Sequence, residues 1–298
     1  MTDRTATSTQ VRYETPSRHI ARIVMARPEA HNAQGLQMTY ELNAAFDRAA
    51  HDNDIKVAIL AADSRNFSAG HDLSGDGGKT WRDFTTVGTW AGFDAKGAEA
   101  RYGREMEIYL EMCERWRNLS KPTIAQVQGK CIAGGLMLAW VCDLIVASED
   151  ASFKDPVIDF GICGVEFFNH PWELGIRKAK EFLFTADEIS ARDAAACGMV
   201  NRVVPRDELE AATLALAERI ATKPAFALKA TKQAVNHVQD VQGRRNAQMH
   251  AFSLHHLLHA HNELVYGVPV DPNGLPKTVR DKLLARVAKA KAAGGAAG

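Results

Sequence analysis

The sequence predicts an α/β fold that closes with a layer of helices. Three observations predict it: short β-branched apolar runs alternate with amphipathic stretches as far as Val204, an unbroken helical pattern follows Pro205, and 46% of the 298 residues are apolar, enough for a substantial core. That length suits one large α/β domain or two small ones.

Composition excludes several classes of function. Lys plus Arg and Asp plus Glu both number 36, so no global field favours nucleic acid or an anionic membrane as partner. The five cysteines, Cys113, Cys131, Cys142, Cys163 and Cys197, make no C-x-x-C pair and no metal spacing with histidine. The first ten residues are polar and Thr-rich, without the apolar core of a signal peptide, and no uncharged run reaches the ~20 residues of a membrane span. A cytoplasmic protein with no membrane contact is expected.

Taken in order, residues 1–10 read as a disordered tail. Ile20–Met25 is apolar and β-branched and stops at Arg27-Pro28, as a strand would. From Leu36 the pattern turns helical through Tyr40, Ala44 and Phe46, and Val57 begins the next buried strand. Residues 74–103 carry Gly, Trp and mixed charge without a period, which reads as a long loop or irregular helical insert beside a functional site. A helix through Met106, Leu110, Cys113 and Arg117 stops at Lys121-Pro122, and Thr123–Val127 is a strand. Residues 132–141 are apolar nearly all round, as in a helix buried on every side. Short strands follow at 144–147 and 151–153, then a helix over 170–184. Ser190 and Asp193 have capping-box spacing before a short helix that Gly198 ends, and 200–204 is the last strand. Helices are expected over 208–222, 225–238 and 246–266, and residues 271–298 read as a fraying Lys/Arg/Ala tail. The expected division is a core over 11–205 and a helical oligomerisation region over 206–270.

Two segments carry the chemistry. Residues 67–73 read FSAGHDL after a buried strand, and residues 121–143 read KPTIAQVQGKCIAGGLMLAWVCD. With these, the chain resembles the crotonase superfamily, the enoyl-CoA hydratase/isomerase family, whose signatures are F-x-A-G-x-D-[LI] and K-P-x-I-A-x-V-x-G-x-x-x-G-G. Smaller matches at Arg27-Pro28, Asn32-Ala33, Thr185, residues 189–191, Gly198 and Val200 extend the resemblance over roughly residues 11–265.

The resemblance implies a crotonase-like ββα superhelix and an acyl-CoA thioester as ligand, with no cofactor beyond the coenzyme A of the substrate. It further implies a homotrimer or dimer of trimers joined through the C-terminal helices. It assigns an oxyanion hole to the backbone N–H groups of His71 and Gly134. A thioester deprotonated at its α-carbon, or attacked at its β-carbon, gathers charge on its oxygen, and preorganised amides stabilise that charge. Gly134 and Gly135 open the buried helix, so free N–H groups and the positive dipole end face the site, and glycine lets a ligand approach the main chain. By the same resemblance Arg27, Ala30, Ala33, Ala69, Gly70, Asp72 and Leu73 line the coenzyme side. Asp72 is expected to hold its loop, and the His71 side chain is expected to matter less than its amide.

The hydratases also hold a water between two glutamates. Aligned on Gly134 and on residues 153–161, those places are Met137 and Val157, which transfer no proton but still line the acyl site. A replacement acid or base must come from residues 154–170, KDPVIDFGICGVEFFNH. Glu166 is the best candidate, because related isomerases and dehalogenases place an essential aspartate close to it. Asp159, two residues after Val157, would share its side of an extended segment. His170 reads as a packing or capping residue and Cys163 as an inert thiol. Trp81, Phe84, Trp90, Phe93, Phe167, Phe168 and Trp172 suggest a roomy apolar pocket.

Other motifs fail. Residues 75–80, GDGGKT, resemble the end of a phosphate loop, but Leu73 stands where its first glycine belongs. No G-x-S-x-G elbow and no H-E-x-x-H occurs. The histidines His250, His255, His256, His259 and His261 lack an evident carboxylate or cysteine partner, so they are assigned to helix surface and subunit packing and no metal is expected.

Overall fold

The computed structural model describes residues 9–75 and 77–294. The expected disordered tail falls mainly on residues 1–8, outside the described residues. Strand β1 (Val11–Ser17) pairs antiparallel with β2 (Ile20–Met25), and after a 3-10 turn over Pro28–Ala30 helix α1 spans Leu36–His51. Strand β3 (Val57–Ala62) precedes the long insert. The insert ends in α2 (Ala98–Glu105), which runs through a π-helical segment, Met106–Glu111, into α3 (Met112–Arg117). Then come β4 (Thr123–Val127), β5 (Lys130–Ile132), α4 (Gly134–Trp140), β6 (Leu144–Ser148) and β7 (Ser152–Lys154). Helices α5 (His170–Leu174) and α6 (Ile176–Thr185) lead to β8 (Ile189–Ser190), α7 (Ala191–Ala196) and β9 (Arg202–Val204). The C-terminal helices are α8 (Leu209–Ala221), α9 (Ala225–Val241), α10 (Arg244–Tyr266) and α11 (Lys277–Gly294).

The main sheet has the order β1-β2-β3-β4-β6-β9 and is parallel from β2 onward. Its inner strands β2, β3, β4 and β6 are buried on both faces, as parallel strands covered on both sides must be. Ile23, Leu60, Ala125 and Ala147 face one core shared with α1, α3 and α4. Ile20, Val24, Val57, Ile59, Ile124 and Val146 face a second core that α8 closes with Leu209, Leu216 and Ala217. Each fully buried large aliphatic side chain contributes about 1.5–3 kcal/mol. A smaller sheet, β5-β7-β8, stands beside the first and carries the loops of the site.

Several expectations are corrected. The helix expected over 132–141 is shorter, because Lys130–Ile132 pairs with β7 as a strand and Ala133, at φ 47°, breaks the chain before Gly134. The helix expected over 170–184 divides at Gly175, whose φ of 73° ends α5 and restarts the chain as α6. Ser190 does cap α7, accepting a hydrogen bond from the Asp193 N–H. The helical part expected of the tail forms α11 up to Gly294, and residues 295–298 lie outside the described residues. Among the described residues, no helix is long and apolar enough to cross a membrane.

Candidate functional site

Two main-chain loops meet at the carboxyl ends of β3 and β5. His71, in the loop after β3, forms a parallel bridge with Gln34, which lies just before α1: the Gln34 N–H donates to Gly70 O at 2.8 Å and the Asp72 N–H to Gln34 O at 2.8 Å. In such a bridge the N–H of His71 itself points away from Gln34. The second loop is Ala133 to Gly135. A Cβ on Gly70, at φ +90°, would stand 2.9 Å from Ile132 O and 3.3 Å from Gly134 N, so the two main chains touch and only glycine fits. A Cβ on Gly135 would meet Ser68 O at 2.9 Å. Gln34 Nε2 donates to Gly134 O at 2.9 Å and ties the loops together.

The other residues assigned to the coenzyme side cluster around this junction. Arg27 donates to Asp72 and, at 3.1 Å, to Ala33 O. Ala30 closes a 3-10 turn that His31 and Asn32 leave in the left-handed region, and buried Asn32 donates to Phe67 O at 3.2 Å. The Ala69 N–H donates to His31 O at 3.0 Å, and Leu73 is exposed. Asp72 accepts from Arg27 and from the Ser74 N–H and hydroxyl, which ties down its loop. Burial alone would raise the Asp72 carboxyl, but the bonds from Ser74 and Arg27 outweigh it and hold the group below its usual value.

Sequence reasoning treats the His71 amide and the Glu166 carboxylate as separate groups; the fold joins them. His71 Nε2 lies 3.0 Å from Glu166 Oε2, and its ring stacks on Tyr109 with centroids 3.9 Å apart. The other ring nitrogen, Nδ1, is buried without a hydrogen bond. It faces Gly134, where a Cβ would come within 2.7 Å of it. Burial would raise the Glu166 carboxyl, but the charge and hydrogen bond of His71 hold it well below the usual carboxylate range. Glu166 is thus an anion that meets the site through an imidazole. No sequence spacing joins residues 71 and 166; only the packing does.

Met137 and Val157 both belong to the apolar core, Met137 fully buried within α4 and Val157 packed at its margin. Asp159 does not share a side with Val157. Residues Val157–Phe160 form a 3-10 turn rather than an extended segment, and Asp159 is exposed. His170 is fully buried and bonds through Nε2 to Asp155 Oδ2 at 2.8 Å. Asp155 also accepts from the Val165 N–H at 3.1 Å and so anchors the Glu166 segment, a role with no local sequence signal. Cys163 is partly buried, and burial raises its thiol, as an inert cysteine requires.

The expected single aromatic pocket is divided. Trp81 and Phe93 line a cleft of about 310 Å³ within the insert, Phe84 stacks on Tyr40, and Phe167 lies in the core under Arg244. Glu107 pins the insert down, accepting from the N–H groups of Val87 and Gly88, each at 2.6 Å. The histidines of α10 divide as well. His250 and His261 are exposed, whereas His255, His256 and His259 turn inward toward Glu105 and Glu166. Surface packing therefore describes two of the five, and carboxylates do accompany the rest.

A mixed α/β core whose two glycine loops pack main chain against main chain, followed by C-terminal helices, fits the crotonase class. The sequence profile of enoyl-CoA hydratase/isomerase matches residues 15–267, and this chain belongs to that family, within the crotonase superfamily. It is similar to "Putative enoyl-CoA hydratase EchA13" of Mycobacterium tuberculosis, 46% identical over 84% of this chain and 81% of that one. A solved "probable enoyl-COA hydratase" of Mycobacterium thermoresistibile is 48% identical, covering 88% of this chain and 100% of its own with a TM-score of 0.80. An enoyl-CoA hydratase/isomerase of Xanthobacter autotrophicus Py2 is 33% identical over 88% of this chain and 95% of its own, at a TM-score of 0.73.

Proposed function

We propose that the chain processes an acyl-CoA thioester, coenzyme A arriving as part of the substrate. The His71 and Gly134 N–H groups hold the thioester oxygen as an enolate forms, and the His71 imidazole moves the proton with Glu166 as its positioning partner. The observation that carries this reading is the 3.0 Å contact between His71 Nε2 and Glu166 Oε2, with Nδ1 unpartnered beside Gly134. A buried carboxylate fixes the ring's orientation. Met137 and Val157 stand where the family resemblance puts the two hydratase glutamates, so the reaction is an atypical one: hydration through His71 and Glu166, decarboxylation or C–C hydrolysis. We place the protein in the cytoplasm, as a homotrimer or dimer of trimers. The test is turnover of a panel of enoyl- and β-oxoacyl-CoA thioesters by the wild-type chain and Glu166→Gln. Turnover that Glu166→Gln lowers at least tenfold supports the assignment; undiminished turnover removes the role of Glu166.

A second reading, an acyl-CoA binding protein without catalysis, is favoured by the same two apolar residues, Met137 and Val157. Calorimetric binding of long-chain acyl-CoA with no product from any thioester would decide for it.

A further inference from the structure

Beside the His71–Glu166 pair lies a second cluster that the proposed reaction does not use. Glu105, at the end of α2, faces three histidines of α10, and the side chains of Glu105, His255 and His259 offer ligand atoms all within 4.8 Å of one another. The two histidines lie four residues apart on one helix, so their rings project to the same side.

Their hydrogen bonds fix which nitrogen is free. His255 Nδ1 lies 2.8 Å from Gly164 O and His259 Nδ1 2.6 Å from Pro269 O. A carbonyl only accepts, so each Nδ1 carries the proton, and in the neutral ring each Nε2 presents a lone pair. Both Nε2 atoms lie 3.8 Å from Glu105 Oε2. His255 is 4% exposed, and its Nε2 and Glu105 Oε2 are buried without a hydrogen bond. His256 Nε2, 3.2 Å from the same oxygen, is out of line for one.

Lone pairs and a carboxylate oxygen that converge in a buried site repel one another unless a proton or a cation lies between them. Protonating both rings would place two imidazolium groups with centroids 4.6 Å apart inside the protein, beside Arg101 and Arg104. One proton can bridge the carboxylate to only one ring nitrogen, whereas a single divalent ion engages all three ligand atoms at once. The Nδ1–H bonds to backbone carbonyls are the outer contacts that metal-binding histidines make. Ligand atoms at ~2.0–2.2 Å from zinc lie at most about 4 Å apart, so closing on an ion asks a contraction of about 1 Å.

We propose that Glu105, His255 and His259 bind one divalent transition-metal ion of the zinc or cobalt type, whose imidazole preference sets it apart from magnesium and calcium. Glu166 Oε1, 3.7 Å from His255 Nε2, adjoins the site and links it to His71. The inference does not depend on which acyl reaction the chain performs.

The test is a titration of the full, untagged, chelator-stripped chain with Co(II), read by absorption and by metal analysis after desalting. One ion per chain is expected, with visible bands that Zn(II) displaces. Glu105→Gln and His259→Gln should each weaken binding at least a hundredfold, and His250→Gln, on the exposed side of α10, should leave it unchanged. Absence of saturable micromolar uptake by the wild-type chain overturns the proposal, as does uptake that survives both inner substitutions or follows His250. Should an inner variant fail to fold, the Cu(II)-loaded wild-type chain decides by spin resonance: coupling to two imidazole nitrogens supports the site, and its absence overturns it.

Discussion

A His71→Ala chain keeps the main-chain amide of that residue and loses only the imidazole, so it separates two roles that share one position. If the ring moves the proton, kcat should fall about 10²–10⁴-fold while KM changes little, because general acid–base groups contribute on that scale. Thioester binding measured by calorimetry should persist, since the amide remains. Gly134→Ala probes the same contact from the other side. Its Cβ would stand 2.6 Å from His71 Cε1 and must push the ring off Glu166. We expect a loss of turnover comparable to His71→Ala with the fold retained, seen as near-native thermal unfolding. The two loops that carry His71 and Gly134 were legible from their motifs. The surroundings of the His71 ring were not, because Tyr109 and Glu166 come from segments that no spacing rule connects.

At the scale of elements, α5 carries a carboxyl whose protonation affects stability. Burial pushes Glu173 up to about 7, against the Asn169 amide and the charges of Arg117 and Arg244. In the unfolded chain the same group ionises near ~4.3. Between those values the folded chain holds a proton that the unfolded chain has released, so stability falls as pH rises through this window and then levels off. Glu173→Gln should therefore be neutral at pH 4 and stabilising at pH 8, on the order of 2 kcal/mol, measured by urea denaturation at the two pH values. A variant equally stable relative to wild type at both would refute the assignment. The elements with long buried runs, β2, β3, β4 and α8, were readable from the sequence because hydrophobic period alone specifies them. Strand β1 was not, since its residues are mostly half-buried or exposed and only pairing with β2 makes it a strand. Strands β5 and β8, of three and two residues, are too short to show any period.

The whole molecule leaves large apolar side chains in water on its C-terminal helices: Phe226 is 82% exposed and Leu264 88%, with Val235, Val241, Leu257 and Val265 nearby in sequence. We expect exposed apolar groups concentrated on two helices to serve as an association surface. Within the chain those helices are firmly seated. Buried Arg244 reaches Glu114 at 2.6 and 2.8 Å and also bonds Asp240 and Gln248, so α10 offers a stiff platform. A trimer of 32.6 kDa chains would have a mass of about 98 kDa by light scattering. Phe226→Glu combined with Leu264→Glu should shift it toward the single-chain mass, and a wild-type protein that runs as one chain would contradict the trimer.

The π-helical segment Met106–Glu111 begins directly after Glu105, which faces the histidines of α10, and contains Tyr109, which stacks on His71. A π turn is an α-helix that has gained a residue. Shortening this stretch by one position would restore regular winding and rotate everything on one side of it by about 100° relative to the other. The carboxylate and the phenol could then no longer serve their two neighbours at once.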